Sequence, residues 1–242
     1  MYPVASPLIA RTNLREAAEG GGHMSAGTIP LAQAAILAAD VVRALRAIAP
    51  SVSAEPVGSV RRCRPVVGDV EVLVRGEILT EKNAPAIIGS ALLKAGITPG
   101  APNKAGAKAP WGARYLALAP GIAGPIGLDV FVCLPPAEYG VLRLIRTGDR
   151  HFSQAVVTRL HRFGLRSEDG RVIDKSERLL PTPTEEGVLR LARLPWIPPS
   201  ERHMDNATTI AAFRREAAPW ECRDPDTACP KCGMAHAMGA CP

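Results

Sequence analysis

Gly58-Ser-Val-Arg-Arg-Cys-Arg-Pro-Val-Val-Gly-Asp-Val-Glu-Val-Leu-Val74 is the stretch whose reading decides the fold. It begins as a turn at Gly58-Ser59 and ends as a strand after Gly68. Alternate residues of a strand point to one face, so Asp69 and Glu71 project together, roughly 7 Å apart at about 3.3 Å per residue. Val70 and Val72 then turn into a core. Two carboxylates on one face repel unless a cation neutralises them, and hard oxygen ligands suit Mg²⁺ or Mn²⁺. Ser59 and Arg62 add a hydroxyl and a guanidinium, and backbone N–H groups near Gly58 are expected to meet a phosphate. Metal-binding acids facing a phosphate-gripping turn are the equipment of phosphoryl or nucleotidyl transfer.

Composition bounds the partners. The 242 residues carry a net charge of +6, which favours acidic partners, nucleic acid the commonest among them. A hydrophobic content of 47% with only 4% aromatic residues implies a sizeable core built from Ala, Val, Leu and Ile. No apolar run approaches the ~20 residues of a membrane span, and no secretory signal is visible. Four of the six cysteines crowd into the last 21 residues, which fits an intracellular, cytoplasmic metal site better than a disulfide framework.

The flanking elements follow from local signals. Residues 1–27, with Gly20-Gly21-Gly22, read as a flexible leader. Thr28 is expected to cap a helix over Leu31 to Ile48, apolar on most faces and so buried against a sheet. Ser53 to Val57 is expected to be the strand that delivers Gly58. A second helix spans Ala86 to Ala95, capped at Asn83 and closed by Gly96. After a Gly-, Pro- and Lys-rich loop containing Lys104 and Lys108, strands are expected at Ala113 to Ala119 and Gly127 to Leu134. The latter embeds Asp129 in apolar residues, and an unpaired ionised Asp there would be expensive. Residues 150 to 163 read as a basic helix, Glu168-Asp169-Gly170 as a hairpin turn, and Thr184 as the start of another short helix. His161 and His203 are taken as surface residues.

Gly58-Ser59, Arg61-Arg62 and Gly68-Asp69-Val70-Glu71 together resemble the palm motif of the DNA polymerase X family of nucleotidyltransferases. Thr147-Gly148 resembles that family's Thr-Gly turn, and Leu194-Pro-Trp-Ile-Pro-Pro-Ser-Glu-Arg202 resembles the segment closing its thumb. The resemblance covers about residues 30 to 202 and leaves no length for the extra domains of larger members. It implies an α+β fold: a nucleotidyltransferase palm (28–142), a thumb-like subdomain (143–202), and a linker helix with a zinc-binding tail (203–242). It also implies that Asp129 joins Asp69 and Glu71 in holding two divalent ions, and that Ser59 and Arg62 steady the triphosphate. Gly58 and Gly68 shape the nucleotide site, and Ile145, Arg146, Thr147 and Gly148 line the place of the nucleotide sugar and base. Several members carry two aromatic residues ahead of Thr-Gly, where this chain has Ile145 and Arg146. The implied partners are nucleoside triphosphates and a DNA primer–template or 3′ end, its backbone tracked by basic residues from Arg143 to Arg178.

In the tail, Cys229, Cys232, His236 and Cys241 have nearly the spacing of a zinc knuckle, with Cys222 as an alternative ligand. Two other readings share these residues. One is nucleotide transfer onto a small molecule or a protein; the other is a non-catalytic, zinc-dependent nucleic-acid-binding protein.

Overall fold

Residues Asp69–Arg75 form the strand that their alternation predicts, and the surrounding elements are laid on its two faces. The structure, a computed structural model of the protein, describes residues 27–99, 113–119 and 126–214. Its elements in chain order are β1 (Ile29–Pro30), α1 (Leu31–Ile48), β2 (Ser53–Pro56), α2 (Gly58–Arg61), β3 (Val66–Val67), β4 (Asp69–Arg75), α3 (Ala84–Lys94) and β5 (Thr98–Pro99). Then come β6 (Ala113–Ala119), β7 (Ile126–Cys133), α4 (Tyr139–Thr147), α5 (Arg150–Arg162), β8 (Arg166–Glu168), β9 (Arg171–Ile173), β10 (Leu179–Leu180), α6 (Glu185–Leu191) and α7 (Ala207–Arg214). The class is α+β. The expected leader, the loop with Lys104 and Lys108, and all five Cys and His residues named in the tail lie outside the described residues.

The main sheet has the order β2-β4-β7-β6-β5, with β4 and β7 parallel and the other neighbours antiparallel. Val70, Val72 and Val74 of β4 and Leu128, Val130 and Val132 of β7 are fully buried on one face. They pack with α1 and α3 into the largest apolar cluster. The opposite face begins with acids and continues with Leu73 and Phe131, which pack with Val57 and Leu142. Helix α4 lies over that patch. It also sends Val141 and Leu144 into a further cluster with α5, β9, β10, α6 and α7. Its second residue, Gly140, tolerates the close approach of residues 182–184: a Cβ there would stand 2.4 Å from two backbone carbonyl oxygens. No helix among the described residues is long and apolar enough to cross a membrane.

Several local expectations need correction. Thr28 does not cap α1: Ile29–Pro30 is extended and pairs with Val66–Val67, and the capping position falls to Pro30 without a side-chain bond. Helix α1 buries Ala34, Ala38, Val41, Ala44 and Leu45, the stripe of an amphipathic helix, while Ile36 is 65% exposed. Alanine-rich sequence looks apolar on every side, but small side chains demand little burial. The Asn83 side chain does not cap α3 either; its Oδ1 accepts from the Thr80 N–H at 2.8 Å instead.

Other signals hold. Asp169 and Gly170 both adopt positive φ in the β8–β9 hairpin, as a tight two-residue turn requires. Thr184 accepts from the Gly187 N–H at 3.3 Å and caps α6.

Candidate active site

Parallel pairing sets Glu71 opposite Asp129, Asp69 opposite Gly127, and Leu73 opposite Phe131. Asp69, Glu71 and Asp129 therefore share one end of one sheet face, and the apolar pair follows them inward. Asp129 is only 6% exposed, Asp69 is open to solvent, and Glu71 is half-buried. Burial first, then the charges of Asp69 and Asp129, push the Glu71 carboxyl up to about 8, against the opposing pull of Arg146 and Arg62. The desolvation has a visible source. The Glu71 carboxyl lies against Gly58, where an added Cβ would fall 1.7 Å from its Oε2. Gly58 also has φ +60°, so both backbone and space require glycine there.

Three carboxylates on neighbouring strand positions are a donor set for a hard divalent cation. Among the described residues no three His, Cys, Asp or Glu side chains converge closely enough to enclose an ion. Asp69, Glu71 and Asp129 share the face, with the Glu71 carboxyl lying against Gly58.

The raised Glu71 carboxyl has a consequence for stability. In the unfolded chain it ionises near the ordinary 4.5; in the folded chain, near 8. Between those values the folded protein retains a proton that the unfolded chain releases, so rising pH removes stability, and above 8 the penalty is constant. Glu71→Gln lacks this slope. In the presence of a chelator, its stability should be close to wild type near pH 5 and exceed it near pH 8.5, by about 4 kcal/mol, with a correspondingly higher melting temperature. Parallel melting curves for the two proteins across that range would refute the shift.

The turn before β4 is tighter than the flexible pair expected. It is the short helix α2, with Gly58 and Val60 buried. The N–H groups of Arg62, Cys63 and Arg64 donate to Gly58 O, Val60 O and Ser59 O, at 3.1, 3.0 and 3.0 Å. These three amides are spent inside the turn, and its side chains add further outward chemistry. Arg62 donates to Ser59 Oγ at 3.1 Å and to the Thr147 carbonyl at 2.5 Å. Ser59, Arg62 and Thr147, distant in sequence, so become one wall.

Thr147 closes α4 and is wholly buried. A Cβ at Gly148 would come within 2.4 Å of the Phe152 ring. Of the two residues before Thr147, Ile145 packs toward the cluster under α5, and its carbonyl accepts from Ser153 Oγ at 2.9 Å. Arg146 turns the other way and stacks over Phe131, 3.9 Å from the ring centroid.

The sequence reading missed a buried charge cluster just behind this wall. Glu185 is 0% exposed and accepts from both Arg61 nitrogens at 2.6 Å, from Arg143 at 3.2 Å, and from Arg202. Arg61 also donates to Thr147 Oγ1 at 2.6 Å. Two of its members stand in motifs of the sequence, Arg61 beside Arg62 and Arg202 at the close of residues 194–202, but nothing local shows that they share one acid.

Several basic residues expected to follow a nucleic-acid backbone are engaged elsewhere. Arg159 is buried and donates to the carbonyls of Ala192 and Phe213, each at 2.8 Å. Arg143 pairs with Glu55 and Glu185, Arg166 with Glu177, and Arg178 with Asp174. Arg150, His161 and Arg162 are exposed along α5. His203 is half-buried against the Asp205 carboxylate, so it is not the simple surface residue expected.

No protein-family model matches the chain, and a search of curated proteins finds no relative for it.

Proposed function

We propose that the protein is a nucleotidyltransferase of palm-and-thumb type that adds nucleotides from nucleoside triphosphates to a nucleic-acid 3′ end. One observation supports this reading: Asp69, Glu71 and Asp129 share one end of one face of two parallel strands, and the turn that abuts Glu71 at Gly58 carries Ser59 and Arg62, with Arg62 bonded to the Thr147 carbonyl. The three carboxylates would hold divalent magnesium or manganese, which supplies Lewis acidity at the transferred phosphoryl group and lowers the pKa of the attacking hydroxyl. Ser59 and Arg62 would grip the terminal phosphates with a hydroxyl and a planar fork of donors. Gly148 would form the floor for sugar and base, with the buried Thr147 supporting it through its bonds to Arg61 and Arg62. The exposed cations of α5 would meet the nucleic-acid backbone, making affinity fall with salt.

The test is primer extension by the purified full-length chain on gapped, recessed and single-stranded DNA, with each dNTP and rNTP. Incorporation that requires Mg²⁺ or Mn²⁺ and stops with chelator is the expected result. Metal-dependent transfer onto small molecules or proteins alone would replace this reading by its nearest alternative.

The tail belongs to the same proposal. Cys229, Cys232, His236 and Cys241 would bind one Zn²⁺, with Cys222 as the substitute ligand. Changing Cys229 and Cys232 to Ser should remove the zinc and raise the KM for DNA more than it lowers kcat. Zinc content unchanged by that double substitution would sink the assignment.

A further inference from the structure

The family resemblance assigns Arg146 to the place of the nucleotide sugar and base, yet its side chain is drawn to the sheet face that carries the acids. It is the penultimate residue of α4, and it sets its guanidinium over Phe131, 3.9 Å from the ring centroid. Phe131 is two residues beyond Asp129 on β7, so both project from the same face. Across the pair, Leu73 follows Glu71 in the same way. Arg146 is therefore held at the line where the apolar floor of Leu73, Phe131 and Leu142 gives way to the carboxylates. The residues beneath the guanidinium thus lie one strand repeat, about 7 Å, from Asp129 and Glu71.

We propose that Arg146 is a resident counter-cation of this acidic site, a positioning residue that competes with divalent metal for the Asp69–Glu71–Asp129 cluster and sets the metal concentration at which the site fills. The inference rests on the metal-using reading given above. A guanidinium suits the role better than an ammonium would. It is charged at every accessible pH, it is weakly hydrated, and its flat face stacks on an aromatic ring. Phe131 thus supplies a platform that holds the cation on the face that carries the acids.

The energetic argument is a linkage. Three clustered acids repel, and any cation nearby stabilises the folded chain. Arg146 supplies part of that stabilisation in the metal-free protein. An entering divalent ion draws on the same carboxylates and must weaken their attraction to Arg146, or work against a like charge that stays. Either way the two cations are negatively coupled, and the coupling is reciprocal. Removing the arginine should therefore destabilise the metal-free protein and tighten its grip on metal.

The experiment measures Mn²⁺ binding to the full-length, metal-stripped protein by the loss of the free-ion paramagnetic resonance signal. Melting temperatures are recorded with chelator and with saturating Mn²⁺. Arg146→Gln should bind Mn²⁺ about tenfold more tightly than wild type, the scale of an ordinary coupling between two sites. It should melt lower in chelator, and Mn²⁺ should close most of that gap. Arg146→Lys keeps the charge and should stay near wild-type affinity. Should Arg146→Gln fail to fold, Arg146→Met retains a long stem over Phe131 and carries the same expectation. Equal Mn²⁺ affinity in wild type and Arg146→Gln, with a melting deficit that metal does not repair, would mean that the arginine only packs, and would overturn the proposal. Asp69→Asn separates this failure from a failure of the metal site. Binding lost in Asp69→Asn yet indifferent to Arg146 overturns the counter-cation alone. Wild type that binds no Mn²⁺ overturns both.

Discussion

Asp129→Asn should reduce nucleotide incorporation to background, a fall of about 10³-fold or more in kcat, equivalent to roughly 4 kcal/mol of transition-state stabilisation. The substitution keeps the shape of the side chain and removes only its charge. Asp129 is nearly buried and stands in register with Glu71, so its charge adds to the repulsion that already burdens Glu71. Melting temperatures recorded beside the kinetics separate loss of chemistry from loss of fold. Nucleotide affinity should survive in part, because Asp69, Glu71 and the Ser59–Arg62 wall remain. Glu71→Asp, by contrast, retains a carboxylate and should be tolerated best among substitutions at the three acids. Wild-type turnover by purified Asp129→Asn would remove Asp129 from the chemistry.

The elements that could be read from sequence are those whose cause is local. The period-two alternation of residues 69 to 74 identifies β4 and sends Asp69 and Glu71 to one face, because the pleat leaves no other arrangement. Asp169-Gly170 fixes its hairpin through two positive φ angles, and Thr184 caps α6 through its own hydroxyl. The meeting of Asp129 with the first two acids needed more than local rules. It depends on parallel pairing of strands some 58 residues apart in the chain, and its expectation came from resemblance to a family. Helix α4 carried little sign of itself, since Gly140 is a poor helix former and is present for a tertiary reason, the approach of residues 182–184.

Side-chain destinations were the least legible. Arg61 and Arg62 are adjacent and chemically identical, yet one enters a buried ion cluster and the other reaches Ser59 and the Thr147 carbonyl. The partner that decides between them, Glu185, lies 124 residues beyond Arg61. Arg159 looked like a surface cation in a basic helix, but it closes two carbonyls from α7 and the end of α6. Charge in a sequence marks what a residue offers. Only the tertiary contacts say what accepts it.

That buried cluster should be the most sensitive point for stability: Glu185→Ala is expected to cost about 3–5 kcal/mol, the range for removing one partner of a buried ion pair. Its three arginine partners are not equivalent. The side chains of Arg61 and Arg143 are 13% and 30% exposed, and each keeps another acceptor, in Thr147 and Glu55. The Arg202 side chain is 0% exposed, so losing Glu185 strands its charge, with the Ile197 carbonyl remaining as an acceptor at 3.0 Å. Most of the loss should come from that one cation. The double variant Glu185→Ala/Arg202→Met should then be more stable than Glu185→Ala alone, although it removes more interactions. The pH dependence has a definite sign. Burial alone would raise the Glu185 carboxyl, but hydrogen bonds and charge from Arg61 and Arg202 outweigh it and hold it below the ordinary 4.5. The folded protein then resists a proton that the unfolded chain accepts, so the contribution is complete above about pH 4.5 and is lost as pH falls through the lower, folded value. Wild type should lose stability more steeply than Glu185→Gln below pH 4.5, as read from urea denaturation at stepped pH. A Glu185→Ala protein within 1 kcal/mol of wild type, or a double variant less stable than the single, would show that the cluster contributes specificity of packing and little free energy.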